Sequence, residues 1–348
     1  MKNTFWILVR FLVASSALSS VLGAVYQCNE RIVGRDFYDA FNFEAIPDPT
    51  HGRVNYVNKT QAIIHNLTFA SEHTFVLRAD HKAVINNTGT MGRNSARIRT
   101  NKAYTTHVAV FDIVHMPQGC GTWPAVWETD EAIWPNGGEV DILEGVNDQG
   151  TDQVTLHTVT GCTMPTVRNQ TGFEFTIPFF VRADIDYFLF SRRTSLFLDC
   201  DVNANFNAGC GVSVGQASSY GPTFNADGGG WYAIERTNAS ISVWFWSRKA
   251  EKVPFDVREG GREVNTGKWG IPVANFPNTN CNLDQFFDAH NIIINLTFCG
   301  DFAGNPSVYA ASGCPSTCED YVDNNPEAFT NAYFQFNSIN IYEQRERD

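Results

Sequence analysis

Apolar residues recur along this chain with a period of two. In "ISVWFWSRK", Ile241, Val243 and Phe245 fall on one side, and Ser242, Trp244, Trp246 and Arg248 on the other. "NIIINLTF" sets Ile292, Ile294 and Leu296 against Ile293, Asn295 and Thr297, and "AYFQFNSINIYE" sets Phe334 and Phe336 against Tyr333 and Gln335. The stretches "HTFVLRA", "HVAVFDIV", "DQVTLHTV" and "DYFLFSRR" read the same way. Successive side chains of a strand point to opposite faces, so this alternation predicts strands with one buried side. Turn-rich segments such as "NNTGTMGRNS", "NADGGG" and "REGGREVNTG" separate them. No stretch carries a long, well-capped helical period. Many short strands with mixed connections predict an all-β chain folded as a sandwich.

One strand-like stretch breaks the rule. In "GGEVDILEG" (137–145), Glu139 and Asp141 share a face, but Glu144 is out of step. A β-bulge between Asp141 and Glu144 restores the phase. The three acids then share one face, Val140 points into the core, and Ile142 or Leu143 takes the extra position. Three like charges on one face are costly unless something protonates or uses them. Retaining glycoside hydrolysis does both, with one carboxylate attacking the anomeric carbon while another protonates the leaving oxygen. An acidic strand edge or a calcium site would be the ordinary reading of such a pattern alone. The surroundings reverse it, because "GTWPAVWETDEAIWPNGGEVDILEG" places Trp123, Trp127 and Trp134 beside the acids. Sugar rings have apolar C–H faces that stack on indole, so this cluster predicts a saccharide groove.

Composition narrows the setting. With 348 residues, 13% aromatic and 18% charged, the chain suits one large folded β domain. Residues 1–24 combine Lys2, an apolar run interrupted by Arg10, and a small-residue end at Gly23 and Ala24. They read as a signal peptide, leaving a domain over 25–348, secreted and extracellular. Asn58, Asn66, Asn86, Asn169, Asn238 and Asn295 each begin an N-x-Ser/Thr sequon, which points to surface glycosylation. Nine cysteines fit an oxidising compartment, with Cys200/Cys210 and Cys314/Cys318 as candidate local bridges and an odd thiol left over. The formal net charge is −12, and −14 once Lys2 and Arg10 go with the leader. Such a surface disfavours nucleic acid and anionic membranes as partners. Without CxxC pairs, and with scattered histidines, a metal centre is the weaker expectation.

The region "WPAVW…WPNGGEVDILEG" resembles the active-site segment of glycoside hydrolase family 16, in particular its laminarinase branch with an E-x-D-x-x-E motif. "DPTHGRVNYV", "SARIRTNKAYTTHVAVFDIVHMPQGCGTWPAVW", "VTLHT", "VWFWSR", "WGIPVANF", "CGDFAG" and "NNPEAFTNAYFQFNSINIYE" are similar to blocks of its secreted fungal members. The resemblance implies a concanavalin A-like β-jelly-roll with a concave groove. It also implies a retaining endo-β-glucanase acting on internal β-1,3 and mixed β-1,3/1,4 links as a monomer. Within it, Glu139 would be the nucleophile, Glu144 the general acid/base and Asp141 their support. Arg97, Trp127, Trp134 and His157 would line the sugar subsites, with Trp244 or Trp246 as further candidates. No cofactor is required; a structural calcium on the convex face is compatible with the family, though no stretch identifies one. Where relatives carry Trp in the "CGDFAG" block, this chain has Phe302. Two rivals use the same scaffold: a glucan-binding lectin, and a transglycosylase that passes the sugar to another sugar. The intact triplet argues against the first. The five-position spacing of the two glutamates, rather than the four usual in transglycosylases of the family, argues against the second.

Overall fold

The computed structural model describes residues 25–85, 91–174 and 197–344. The expected leader at 1–24, the sequon at Asn86 and the strand expected at 186–193 lie outside them.

Two antiparallel sheets face each other. One has eight strands in the order Phe173–Glu174, Val212–Ser213, Gln153–His157, Glu139–Glu144, Thr122–Thr129, Asn291–Phe298, Arg97–Thr100 and Phe41–Phe43. The other has nine, with Glu263–Asn265, Val25–Ile32, Tyr333–Glu343, His107–His115, Gly230–Arg236, Ser240–Ser247 and Ala274–Pro277 along its main path. The α-helices among the described residues are short, four to seven residues each. This is the sandwich that the alternating pattern predicts, in the jelly-roll form that the resemblance implies.

The main core fills the space between the sheets. Val126, Val140, Leu143, Ile98, Ile292 and Ile294 enter it from the eight-stranded sheet. Phe111, Ile234, Val243, Phe245, Ile339 and Ile341 meet them from the nine-stranded one. Each such side chain contributes roughly 1.5–3 kcal/mol by leaving water. Because the inner faces are spent on this core, the opposite faces are free for chemistry or for a second layer. Glu128 is a polar exception, facing inward next to Trp127. It is fully buried, with Arg236 at 3.2 Å, His107 at 3.2 Å and His290 at 3.5 Å. Burial would raise its carboxyl, but these partners outweigh that and hold it well below the usual range.

Trp244 and Trp246 do not face a groove. They lie on the outer side of the nine-stranded sheet, packed edge-to-face against Trp269 at centroid distances of 5.2 and 5.8 Å. Their alternation is real, but the loop carrying Val253, Val257 and Trp269 covers that side.

The cysteines pair as Cys120–Cys314, Cys162–Cys281, Cys200–Cys210 and Cys299–Cys318, with Cys28 free. The short Cys200–Cys210 loop is as expected, whereas Cys314 and Cys318 bond different partners. Cys318 begins a helix, and the turn before it directs Cys314 elsewhere. One sequon is also corrected. Asn295 sits within a strand, 7% exposed, accepting a 2.7 Å bond from the Trp127 indole and donating to the Tyr56 hydroxyl. With its amide buried inside the strand, there is no room there for a glycan. Asn58, Asn66, Asn169 and Asn238 are exposed.

Candidate active site

The site occupies the outer face of the eight-stranded sheet. In the strand Glu139–Glu144, Asp141 pairs with Trp127, Leu143 with Val126 and Glu144 with Ala125, so Ile142 is the extra residue of a bulge. Val140, Ile142 and Leu143 all pack into the core. Glu139, Asp141 and Glu144 are thereby left on the outer face, as the broken phase requires.

Each acid has its own partners. Glu139 accepts a 2.6 Å bond from the Trp134 indole, which comes from the loop preceding its strand. Glu144 accepts a 2.8 Å bond from the Trp123 indole, and Phe302 meets that indole edge-on at 5.6 Å. Asp141 is 3% exposed, with His157 Nε2 3.4 Å away, across the neighbouring strand. The other His157 nitrogen lies 3.0 Å from Asn207 Oδ1.

The electrostatics follow from burial and crowding. Desolvation, reinforced by Glu139 and Glu144, pushes Asp141 well above the usual carboxylate range despite His157. Glu144 is raised by burial as well, against the Trp123 hydrogen bond that stabilises its anion. For His157 burial disfavours the charge, but Asp141 and the two glutamates outweigh it and lift the imidazole to about 9. An acceptor at each ring nitrogen suits that protonated imidazole. Burial and mutual repulsion thus shift both Asp141 and Glu144 toward holding their protons, the direction a general acid needs.

Further residues support this face. Arg97 is 2% exposed and bonded to Glu44 at 2.8 Å and to Glu131, with its guanidinium 5.0 Å from the Trp127 ring. It braces the wall more than it lines it. Arg99, from the same face, reaches Glu44 at 2.8 Å and Asn291 at 3.0 Å. Trp127 and Trp134 remain open to the groove, Trp134 at 43% exposure.

Sequence reasoning missed Asp152. It is fully buried, and its Oδ1 accepts the backbone N–H of Glu144 at 2.8 Å. Its own backbone N–H donates to Ser219 Oγ at 3.0 Å. Desolvation pushes its carboxyl well up. It fixes the peptide that carries the second glutamate, just before Gly145, where a Cβ would come within 2.4 Å of the Tyr220 ring. The only sequence signal was an acid in "TDQV", which resembles any loop acid.

One ligand atom each of Glu139, Asp141 and His157 lies within 4.8 Å of the others. They could hold a cation, but Glu139 and Asp141 belong to the acid triplet itself. Among the described residues no other group of three offers such a set.

A β-sandwich whose outer face joins bulge-aligned acids to indole donors defines a carbohydrate-active enzyme. The description "XgeA-like, catalytic GH16 domain" matches residues 41–342, and the chain belongs to glycoside hydrolase family 16. It is 54% identical to laminarinase 16A of Phanerochaete chrysosporium, solved with 6-O-glucosyl-laminaritriose in donor and acceptor sites. The TM-score is 0.84, and the match covers 92% of this chain and all of that one. An elongating family 16 β-1,3-glucosyltransferase is 34% identical, with a TM-score of 0.78 over 91% of this chain and 99% of that one. An endo-1,3(4)-β-glucanase of Arthroderma benhamiae is 37% identical over 340 residues, 96% of this chain and 68% of that protein.

Proposed function

We propose that this glycoside hydrolase is a secreted, retaining endo-β-glucanase cutting internal β-1,3 and mixed β-1,3/1,4 links, with its leader removed. The observation that carries the reading is the bulge, which puts Glu139 and Glu144 on one face with a separate indole donor on each. Glu139 attacks the anomeric carbon while Glu144 gives its proton to the leaving oxygen. Water then attacks the glycosyl-enzyme, with Glu144 taking its proton back. Asp141, between the two, orients the nucleophile and by like-charge repulsion helps hold the acid's proton in place. His157 holds Asp141. Trp127 and Trp134 stack sugar faces, with Arg97 bracing Trp127. Four disulfides suit an extracellular setting, and among the described residues no helix is long and apolar enough to cross a membrane.

Transglycosylation is the second reading, favoured by the similarity to a glucosyltransferase. The same covalent intermediate serves both, and they part only at whether water or sugar accepts the glycosyl group. Laminarin digestion, followed for reducing ends and chain lengths together, separates them. New ends with short products support the hydrolase. Reshuffled lengths without new ends mean a transglycosylase, and binding without change means a lectin.

A further inference from the structure

The loop closed by Cys200–Cys210 runs alongside the strand Gln153–His157, with Cys210 N–H bonded to the Leu156 carbonyl. Its Gly209 leaves so little room that a Cβ would come within 2.7 Å of Thr155 Cγ2 and 2.9 Å of His157 Cε1. Thr155 pairs with Asp141 and His157 with Glu139, so the loop forms the groove wall next to the carboxylates. Asn207 ties it down through His157 Nδ1 at 3.0 Å.

At the crest of this loop, Asn205, Phe206 and Asn207 have φ of 51°, 58° and 61°. Asn tolerates this left-handed conformation, but a bulky aromatic rarely adopts it. The Phe206 side chain stands at 105% relative exposure. Single exposed apolar residues are ordinary, and Val167 at 86% or Phe255 at 72% need no explanation. Phe206 differs in two respects: its backbone is held in an unfavourable conformation, and its anchor is a residue of the active site.

We propose that Phe206 is a stacking platform for a glucosyl unit, adding a subsite to the groove beyond His157. The opposite side of the carboxylates already carries Trp127 on the strand Thr122–Thr129. A glucan chain crossing the sheet would thus meet an aromatic face on each side of the cleavage point. A ring of carbon and hydrogen offers contact to the C–H face of a sugar without demanding a hydrogen-bond pattern, so the platform suits an extended chain of repeating units. The proposal rests on the glucanase reading.

The test compares wild type, Phe206→Ala, Phe206→Leu and Phe206→Trp on laminari-oligosaccharides of three to seven units. Phe206→Ala should lower kcat/KM for the heptasaccharide, relative to that for the trisaccharide, by about three- to tenfold, mainly through KM. Phe206→Leu should fall between, and Phe206→Trp should restore the ratio. An unchanged ratio, or an equal loss at every length, overturns the platform while leaving the glucanase reading intact. A wild type that cleaves none of these oligosaccharides removes the glucanase reading, and the platform with it.

Discussion

Both outer faces of this sandwich are rich in tryptophan, and they use it differently. On the eight-stranded sheet, Trp123 and Trp134 aim their indole N–H groups at Glu144 and Glu139, and Trp127 aims at Asn295. On the nine-stranded sheet, Trp231, Trp244, Trp246 and Trp269 gather into a secondary core. There the Trp244 N–H goes to the Gly270 carbonyl and that of Trp269 to Asp256. One face keeps its rings accessible above a row of polar side chains; the other is roofed by its own loop. Tryptophan density therefore does not mark a sugar groove. Whether a covering loop roofs the rings, as on the nine-stranded sheet, separates the two.

The sharpest way to break this comparison is at the carboxylate that Trp134 serves. Glu139→Gln should lower kcat on laminarin by about four orders of magnitude or more, because a covalent nucleophile has no substitute. A rate within a few-fold of wild type would remove Glu139 from the chemistry. Next come the two faces set against each other. Trp244→Ala should cost about 3–5 kcal/mol of stability, seen as a lowered Tm, with kcat/KM per folded molecule unchanged. Trp127→Ala should cost less stability but raise KM about fivefold to tenfold through lost stacking. Equal effects of the two on KM would erase the distinction.

The smallest expected effect is on pH dependence. The Trp123 N–H stabilises the Glu144 anion, so Trp123→Phe should raise that carboxyl further. With Glu144 as the proposed general acid, active when protonated, the alkaline limb of kcat/KM should move to higher pH, by roughly half to one pH unit. A limb moving to lower pH would contradict the assigned roles.

The legible parts of the molecule are those governed by period. Alternation was sufficient for the sandwich, and a broken alternation located the bulge, because a one-residue slip turns every following side chain over. Where the structure departed from expectation, the deciding contact was distant in sequence. Trp244 and Trp246 alternate as groove residues would, but the roof over them comes from the later segment carrying Val253, Val257 and Trp269. Cys314 and Cys318 are neighbours in the chain and not each other's partners. Asn295 satisfies a sequon while its amide is committed to Trp127 and Tyr56. Asp152 and Phe206 carried no local signal, since their meaning lies in what the fold brings to Glu144 and His157.

The central claim is that the bulge pairs Glu139 and Glu144 for double displacement. Proton NMR of the first reducing ends released from laminarin tests it most directly, before the anomers equilibrate. The account predicts the β-anomer first, with the α-anomer growing in only by mutarotation. An initial α-anomer would mean direct attack by water on the glycosidic carbon and would contradict the assignment of Glu139 as nucleophile.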